Sequence, residues 1–233
     1  MPIILPNTLE VPGGAAPVAW RRSARARRVS LRIDPRAGAV VVTLPARAGQ
    51  KAGLELLRAN AGWVADRLAA LPPRQVIADG GAVPLHGTPM PIRHRPQARG
   101  GAWIEDGCLH VTGLIEHLPR RVRDCLRAEA GRVLTRIAHD KAAAAGLHLP
   151  RIAIKDTSSR WGSCAADGLV MFSWRLIMAP GFVQDYVAAH EVSHLRHMNH
   201  GPHFWALVAS LTPHRDAADA WLRRDGPALL RVG

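Results

Sequence analysis

Two histidines and a glutamate at H-E-x-x-H spacing are the residues of this sequence best suited to chemistry. His190 and His194 lie four positions apart, and a helix places such residues on one face, about one turn apart. Two imidazoles arranged in this way can share a metal ion, and Glu191 beside them can deprotonate a metal-bound water. The spacing predicts a zinc (Zn²⁺) hydrolase in which Glu191 is the general base and later the proton shuttle.

The third protein ligand must come from elsewhere, because a catalytic zinc site holds three ligands and one open position. The segment His190–His203 holds five of the twelve histidines. On a continuous helix His197 would lie about 10 Å along the axis from His190. That distance is too large for His190, His194 and His197 to bind one ion together. The asparagine, glycine and proline that follow predict a turn that brings back His200 or His203. We favour His200, with an acid or a more distant histidine as further alternatives.

The spacing to position 200 equals that of the metzincins. Those enzymes need glycine where this chain has His197, and a methionine turn further downstream. The sequence has no methionine after Met198. A metzincin is therefore not expected.

Three residues near the predicted site have two interpretations each. Tyr186 lies one turn before His190 and either donates to an oxyanion or packs against the sheet, with packing favoured. Arg160 lies in a loop that either lines the cleft, where Arg160 would hold a substrate carboxylate or phosphate, or is only structural. In the structural alternative, Trp161 is a core anchor and Gly162 permits a tight turn. Cys164 is either buried or an additional zinc ligand.

The alternation and periodicity of apolar residues predict the elements of the first half. Residues 28–33 and 40–44 read as a β-hairpin, and residues 50–71 as a helix interrupted near 60–62. Residues 80–113 read as short strands separated by glycine and proline. A long helix is predicted from about 119 to 145.

The second half is predicted to carry the site. Residues 152–154 and 169–172 read as strands flanking a polar loop, and we expect the second of them to be an edge strand that pairs with an extended peptide. The histidine-bearing helix is predicted from Phe182 to about Met198, and another from Pro202 to about Leu211. The chain reads as an α+β protein, with a β-rich part over 1–115 and a mainly helical catalytic part over 116–233.

Composition predicts a cytoplasmic protein with no membrane association. The first eighteen residues lack the pattern of a secretion signal, and no apolar run reaches the roughly 18 residues of a membrane span. The three cysteines are an odd number, widely spaced and without a C-x-x-C pair, so neither disulfides nor a cysteine-ligated zinc site is indicated.

The net charge of +13 raises the alternative of a polyanionic partner. The basic residues comprise only three lysines, an arginine bias that a GC-rich genome also produces. One alternative function is hydrolysis of a phosphate-containing substrate such as a nucleotide. Another is weak nucleic-acid binding by the N-terminal part, where the arginines are densest: Arg21, Arg22, Arg25, Arg27, Arg28, Arg32 and Arg36.

Several segments resemble the bacterial YgjP-like metallopeptidase family, which is similar to the SprT-like zinc proteases. They are SRWGSC at 159–164, WRL at 174–176 with Pro180, DYV at 185–187, HEVSH at 190–194 and MNHGPHFW at 198–205, and more loosely SARARRVS at 23–30.

The resemblance implies a zincin-like catalytic domain, with its active-site helix packed on a small sheet, that acts on peptides or proteins. It matches His190, His194 and His200 to the metal-binding histidines of the family and Glu191 to its catalytic glutamate. The family pattern favours His200 over His203, whose position varies.

Overall fold

Residues 6–233 are described by a computed structural model, in which the chain divides into two units after Pro73. The sequence placed a boundary near residue 115 instead. The two boundaries differ because the strands between residues 82 and 111 share one buried core with the long helix that follows. Leu109 in the strands and Leu126 in the helix belong to the same core cluster. Residues 1–5, which are part of the stretch inspected for a secretion signal, lie outside the described residues.

The first unit consists of a four-stranded sheet and two helices. The strands lie in the order β1–β2–β4–β3, with β2 parallel to β4, and β3 and β4 form the predicted antiparallel hairpin. Val42, Leu57 and Val64 are fully buried where the helices pack on the sheet. The elements are β1 (Thr8–Val11), β2 (Gly14–Ser23), β3 (Ser30–Asp34), β4 (Ala39–Pro45), α1 (Gln50–Ala59) and α2 (Ala61–Ala69).

The predicted interruption of the helical segment near 60–62 is confirmed. Asn60 has φ −113° and ψ 20°, outside the helical region. Its side-chain amide donates to the carbonyl oxygen of Leu56 at 2.8 Å, which satisfies an acceptor at the end of α1.

The second unit contains two further sheets and a long helix, α3. One sheet has the order β5–β6–β8–β7 and the other β10–β11–β9. The elements are β5 (Ala82–Leu85), β6 (Thr88–His94), β7 (Ala102–Glu105), β8 (Cys108–Val111), α3 (Leu118–Ala144), β9 (Arg151–Lys155), β10 (Gly162–Cys164), β11 (Leu169–Ser173), α4 (Gly181–Ser193), α5 (Pro202–Leu211), α6 (Arg215–Arg224) and α7 (Gly226–Leu229).

Strand β11 is the central strand of its sheet, so the prediction that residues 169–172 form an edge strand is wrong. It pairs in parallel with β9 on one side and antiparallel with β10 on the other. Val170 and Phe172 are fully buried, as expected of a central strand. Its two neighbours, β9 and the three-residue strand β10, are the edge strands of this sheet.

The histidine-bearing helix is shorter than predicted, since α4 ends at Ser193 and not near Met198. The backbone N–H groups of Arg196 and His197 both bond back to the carbonyl of Ser193, which closes a turn instead of continuing the helix. The next helix, α5, begins at Pro202 as predicted.

Helices and small sheets are thus mixed along the chain, as the α+β prediction expected. Nowhere in residues 6–233 is a helix both long and apolar enough to cross a membrane. The cytoplasmic location stays a prediction.

Candidate metal centre

The end of α4 carries two of the predicted ligands. His190 is half-buried, His194 is buried, and their ring centroids lie 5.1 Å apart. Ala188 and Ala189, in the same turn, are fully buried. Small side chains therefore let this turn of α4 pack closely in the core while the two imidazoles project from it.

His200 is brought back to these two rings by the turn between α4 and α5. Its Nε2 lies 3.2 Å from Nε2 of His190, and its ring centroid lies 4.8 Å from that of His194. One nitrogen of each of the three histidines lies within 4.8 Å of the others. Two nitrogens bound tetrahedrally to one zinc at 2.0–2.1 Å would be about 3.4 Å apart, so the observed pair fits such an ion.

The backbone orients His194 for metal binding. Its Nδ1 lies 3.0 Å from the carbonyl oxygen of His197. A carbonyl only accepts, so Nδ1 must carry the ring proton and Nε2 keeps its lone pair for a metal. The buried Nδ1 of His190 has no hydrogen-bond partner among residues 6–233.

The protonation of these rings favours metal binding. Burial lowers the pKa of His190 to about 4, and the neighbouring His194 and His200 add to the effect. Burial also lowers the pKa of His194. Since only the neutral imidazole binds a metal, both rings are in the form that can bind a metal near neutral pH.

The other candidate ligands do not join this group. The ring of His197 lies beside that of His203, with centroids 6.1 Å apart. Within the described residues, His190, His194 and His200 form the one set of three that could hold a metal, so Cys164 is not part of it. Burial, with Glu191 and Asp167, raises the pKa of Cys164 to about 11, which disfavours the thiolate.

Glu191 lies beside the histidines and is buried, with 7% of its surface exposed. Burial raises the pKa of its carboxyl to about 7, and only the positive charge of Arg160 opposes this shift. A carboxyl poised near neutral pH can both accept and return a proton.

Arg160 is exposed and is carried by a loop with a buried anchor. Asp156 at the start of the loop is ion-paired with Arg175, which is 1% exposed, and accepts from the indole N–H of Trp174 at 3.1 Å. The hydroxyl of Thr157 then donates to the carbonyl of Arg160 at 2.7 Å. These contacts fix the backbone that carries Arg160, whose positive charge acts on the pKa of Glu191.

Tyr186 is buried, with 5% of its surface exposed, and both interpretations of its role stay predictions. Its ring meets that of His190 edge-on at 5.9 Å. Its hydroxyl donates to Asp219, and burial together with that carboxylate raises its pKa.

Sequence reasoning missed the aromatic support of the histidines. The ring of Trp205 stacks on His200 at 5.6 Å, and the guanidinium of Arg215 lies 3.6 Å over the centre of Trp205. Phe204 packs against His194 at 4.5 Å. The signal in the sequence was the aromatic pair just after the histidine turn. That pair was noted only as part of the family resemblance, and no role was inferred for it.

Three convergent imidazoles beside a buried carboxyl are typical of metal-dependent hydrolases. A family model described as YgjP-like, metallopeptidase domain, matches residues 27–225. The chain therefore belongs to the YgjP-like metallopeptidase family. It is a metal-dependent peptidase, and peptides or proteins are the substrates of that class.

The chain is also similar to one solved protein, described as the crystal structure of the metallopeptidase zymogen of Pyrococcus abyssi abylysin. The two are 15% identical with a TM-score of 0.37, over 40% of this chain and 96% of that chain. No curated protein matches the sequence.

Proposed function

We propose that the protein is a zinc peptidase in which His190, His194 and His200 bind the ion and Glu191 moves the proton. The observation that carries the proposal is the approach of three imidazole nitrogens to within 4.8 Å beside a buried carboxyl. Neutral nitrogen ligands suit zinc, which when bound would polarise the scissile carbonyl and make water more acidic. The packing of α4 against β10 and β11 supports a zincin-like fold for this unit.

Glu191 is the group that accepts the proton and later delivers it. As water attacks the peptide carbonyl, the carboxylate accepts one proton from that water. It then delivers the proton to the nitrogen of the leaving amine as the C–N bond breaks. The raised pKa of about 7 supports both roles near neutral pH.

The substrate is proposed to pair with the free edge of β10. The carbonyl of Trp161 accepts from Ser173 at 2.8 Å, and the N–H of Ala165 donates to Leu169 at 2.9 Å. Because bonding alternates along an antiparallel pair, Gly162 and Cys164 turn their N–H and C=O groups away from β11. An extended peptide pairing with these groups would lie across α4, close to Glu191.

Metal analysis and one substitution test the proposal together. Purified protein should hold one zinc, and the His190→Ala, His194→Ala double variant should hold none. Glu191→Gln should keep the metal and lose hydrolysis by roughly 10²-fold or more, because the amide cannot accept the proton.

The substrate screen should contain peptides, denatured proteins and nucleotides, with Glu191→Gln as the blank. We expect hydrolysis of peptides or denatured proteins alone. Hydrolysis of nucleotides without peptides would favour the phosphate-containing substrate instead. Full peptidase activity in Glu191→Gln, or a metal other than zinc, would contradict the proposal.

A second candidate activity, nucleic-acid binding, is favoured by the face of the first unit's sheet opposite its buried core. The pairing register puts Arg32 beside Val41 and Arg21 beside Thr43, on the face opposite the buried Val42. Both arginines are exposed, and the turn between β2 and β3 adds three more exposed arginines: Arg25, Arg27 and Arg28. Such a surface attracts backbone phosphates without reading bases.

Salt dependence tests this second activity. Duplex DNA should bind at low salt with an affinity that falls steeply as salt rises. The Arg21→Gln, Arg32→Gln double variant should reduce the slope of log affinity against log salt by roughly two units. Arg67→Gln, on the exposed side of α2, is the matched control. An undetectable complex at low salt excludes the activity.

A further inference from the structure

Gly162 leaves no room for a side chain beside Glu191. A carbon at its Cβ position would lie 2.5 Å from Cγ, 2.6 Å from Oε1 and 2.7 Å from Cδ of that glutamate. Unbonded carbon atoms pack at about 3.5–4.0 Å, so no side chain fits unless the glutamate or the strand moves. The hydrogen of Gly162 is what allows β10 to close over the carboxyl.

The backbone conformation does not require glycine here. The φ of Gly162 lies outside the left-handed region, and the residue lies in a strand, paired with Phe172. A glycine that permits a tight turn would show a positive φ, as Gly168 does at 79°. Space beside Glu191 is therefore the reason for glycine at this position.

Gly162 also belongs to the edge at which the substrate is proposed to pair. Its N–H and C=O point away from β11, while its missing side chain faces α4. One residue thus contacts the general base on one side and offers backbone groups to the peptide on another. The distance between the carboxyl and the edge strand is set at this residue.

We propose that Gly162 is a positioning residue, which fixes the carboxyl of Glu191 against the peptide-pairing edge of β10. The proposal rests on the function proposed above. A methyl group at position 162 would push the carboxyl away from the edge, or the edge away from α4. Either movement misplaces the base relative to a docked peptide bond, although Gly162 itself takes no part in the proton transfer.

Gly162→Ala tests the role in activity. We expect kcat to fall by roughly 10–100-fold, the loss typical of a displacement of about 1 Å at a catalytic group. Metal content should be unchanged, because the three histidines are not touched. Gly181→Ala on α4 is the matched control, since its Cβ would meet no atom within 4 Å and its φ is not left-handed. It should keep wild-type kcat.

A double-substitution cycle separates positioning from general damage to the fold. Glu191→Ala removes Cγ, Cδ and Oε1, the three atoms that a methyl group at position 162 would meet. Gly162→Ala should therefore lower the melting temperature of metal-free protein clearly when Glu191 is present, and little when residue 191 is alanine.

Two results would overturn the positioning role. One is wild-type kcat in Gly162→Ala, and the other is an equal drop in melting temperature whether residue 191 is glutamate or alanine. Failure of the proposed function looks different. Glu191→Gln would then keep full hydrolysis, while the melting temperatures still report the contact between the two residues.

Discussion

His197 contributes its backbone, and not its imidazole, to the histidine cluster. Its carbonyl oxygen accepts the Nδ1 proton of His194 at 3.0 Å, while its ring lies beside that of His203. A side-chain substitution leaves that carbonyl in place. The side chain of His197 can therefore change without disturbing the carbonyl that orients the ring of His194.

This difference gives a prediction for two neighbouring histidines. His200→Ala should weaken zinc binding by more than the roughly 10–100-fold typical of losing a residue that only orients a ligand. His197→Ala should leave zinc affinity within about threefold of wild type. Competition against a fluorescent chelator measures both affinities. Equal losses in the two variants would contradict this division of roles.

The sequence predicted the three convergent histidines but not everything around them. Helix geometry excluded His197 as a metal ligand on the assumption of a continuous helix. In the structure α4 ends at Ser193, and the backbone carbonyl of His197 contacts the ring of His194. The Asp219 partner of Tyr186 is 33 positions away in sequence, and the contact between Gly162 and Glu191 crosses between two elements. Spacing within one helix can be read from a sequence, but contacts between elements depend on how they pack.

Helix α4 is held near its start by a buried amide. Gln184 is 1% exposed and donates to the carbonyl oxygens of Ala179 at 2.7 Å and Ile177 at 3.2 Å. Ile177 also accepts from the backbone N–H of His86 at 2.9 Å, so it keeps a partner without Gln184. The carbonyl of Ala179 depends more heavily on the amide.

Replacing Gln184 should therefore lower the stability of the fold more than the catalytic rate. Gln184→Leu leaves a buried carbonyl unsatisfied, and we expect the free energy of unfolding to fall by about 1–3 kcal/mol. Urea denaturation followed by circular dichroism measures the change. Gln97→Leu, at an exposed loop position, should stay within about 0.5 kcal/mol of wild type. A loss no larger than that of the control would show that the amide is not a structural anchor.

The long periodic elements and most of the short strands were predicted, but strands β1, β2 and β10 were not. Helix α3 and the β3–β4 hairpin agree with the apolar pattern. Strand β2 was not predicted, since Pro17 interrupts it and its partner β4 follows only after β3. Strand β10 has three residues, none of them β-branched or aromatic, and becomes a strand only by pairing with β11.

At the scale of the molecule, the second unit contains every residue of the proposed site. The three histidines, Glu191 and Gly162 all lie after residue 73, and so do the anchors of the Arg160 loop. The core of this unit is one cluster contributed by both of its sheets and its helices. All the described residues of that core lie between Ile77 and Val232.

A fragment spanning residues 74–233 should consequently fold and bind zinc. It has its own core and is longer than many domains that fold alone. We expect cooperative thermal unfolding and one zinc per chain, measured by circular dichroism and metal analysis. A fragment that is unfolded, or folded without metal, would show that the first unit is needed to form the site.

In the proposed mode of binding, the three-residue length of β10 limits how much of a polypeptide can pair with the enzyme. With Gly162 and Cys164 as its outward-facing positions, the edge offers two N–H and two C=O groups. Recognition through so few main-chain bonds spans only a few residues of the substrate and depends little on the identity of their side chains. Selection would then fall on whether a chain can present a short extended stretch, which loose or unfolded regions do readily and packed domains do not.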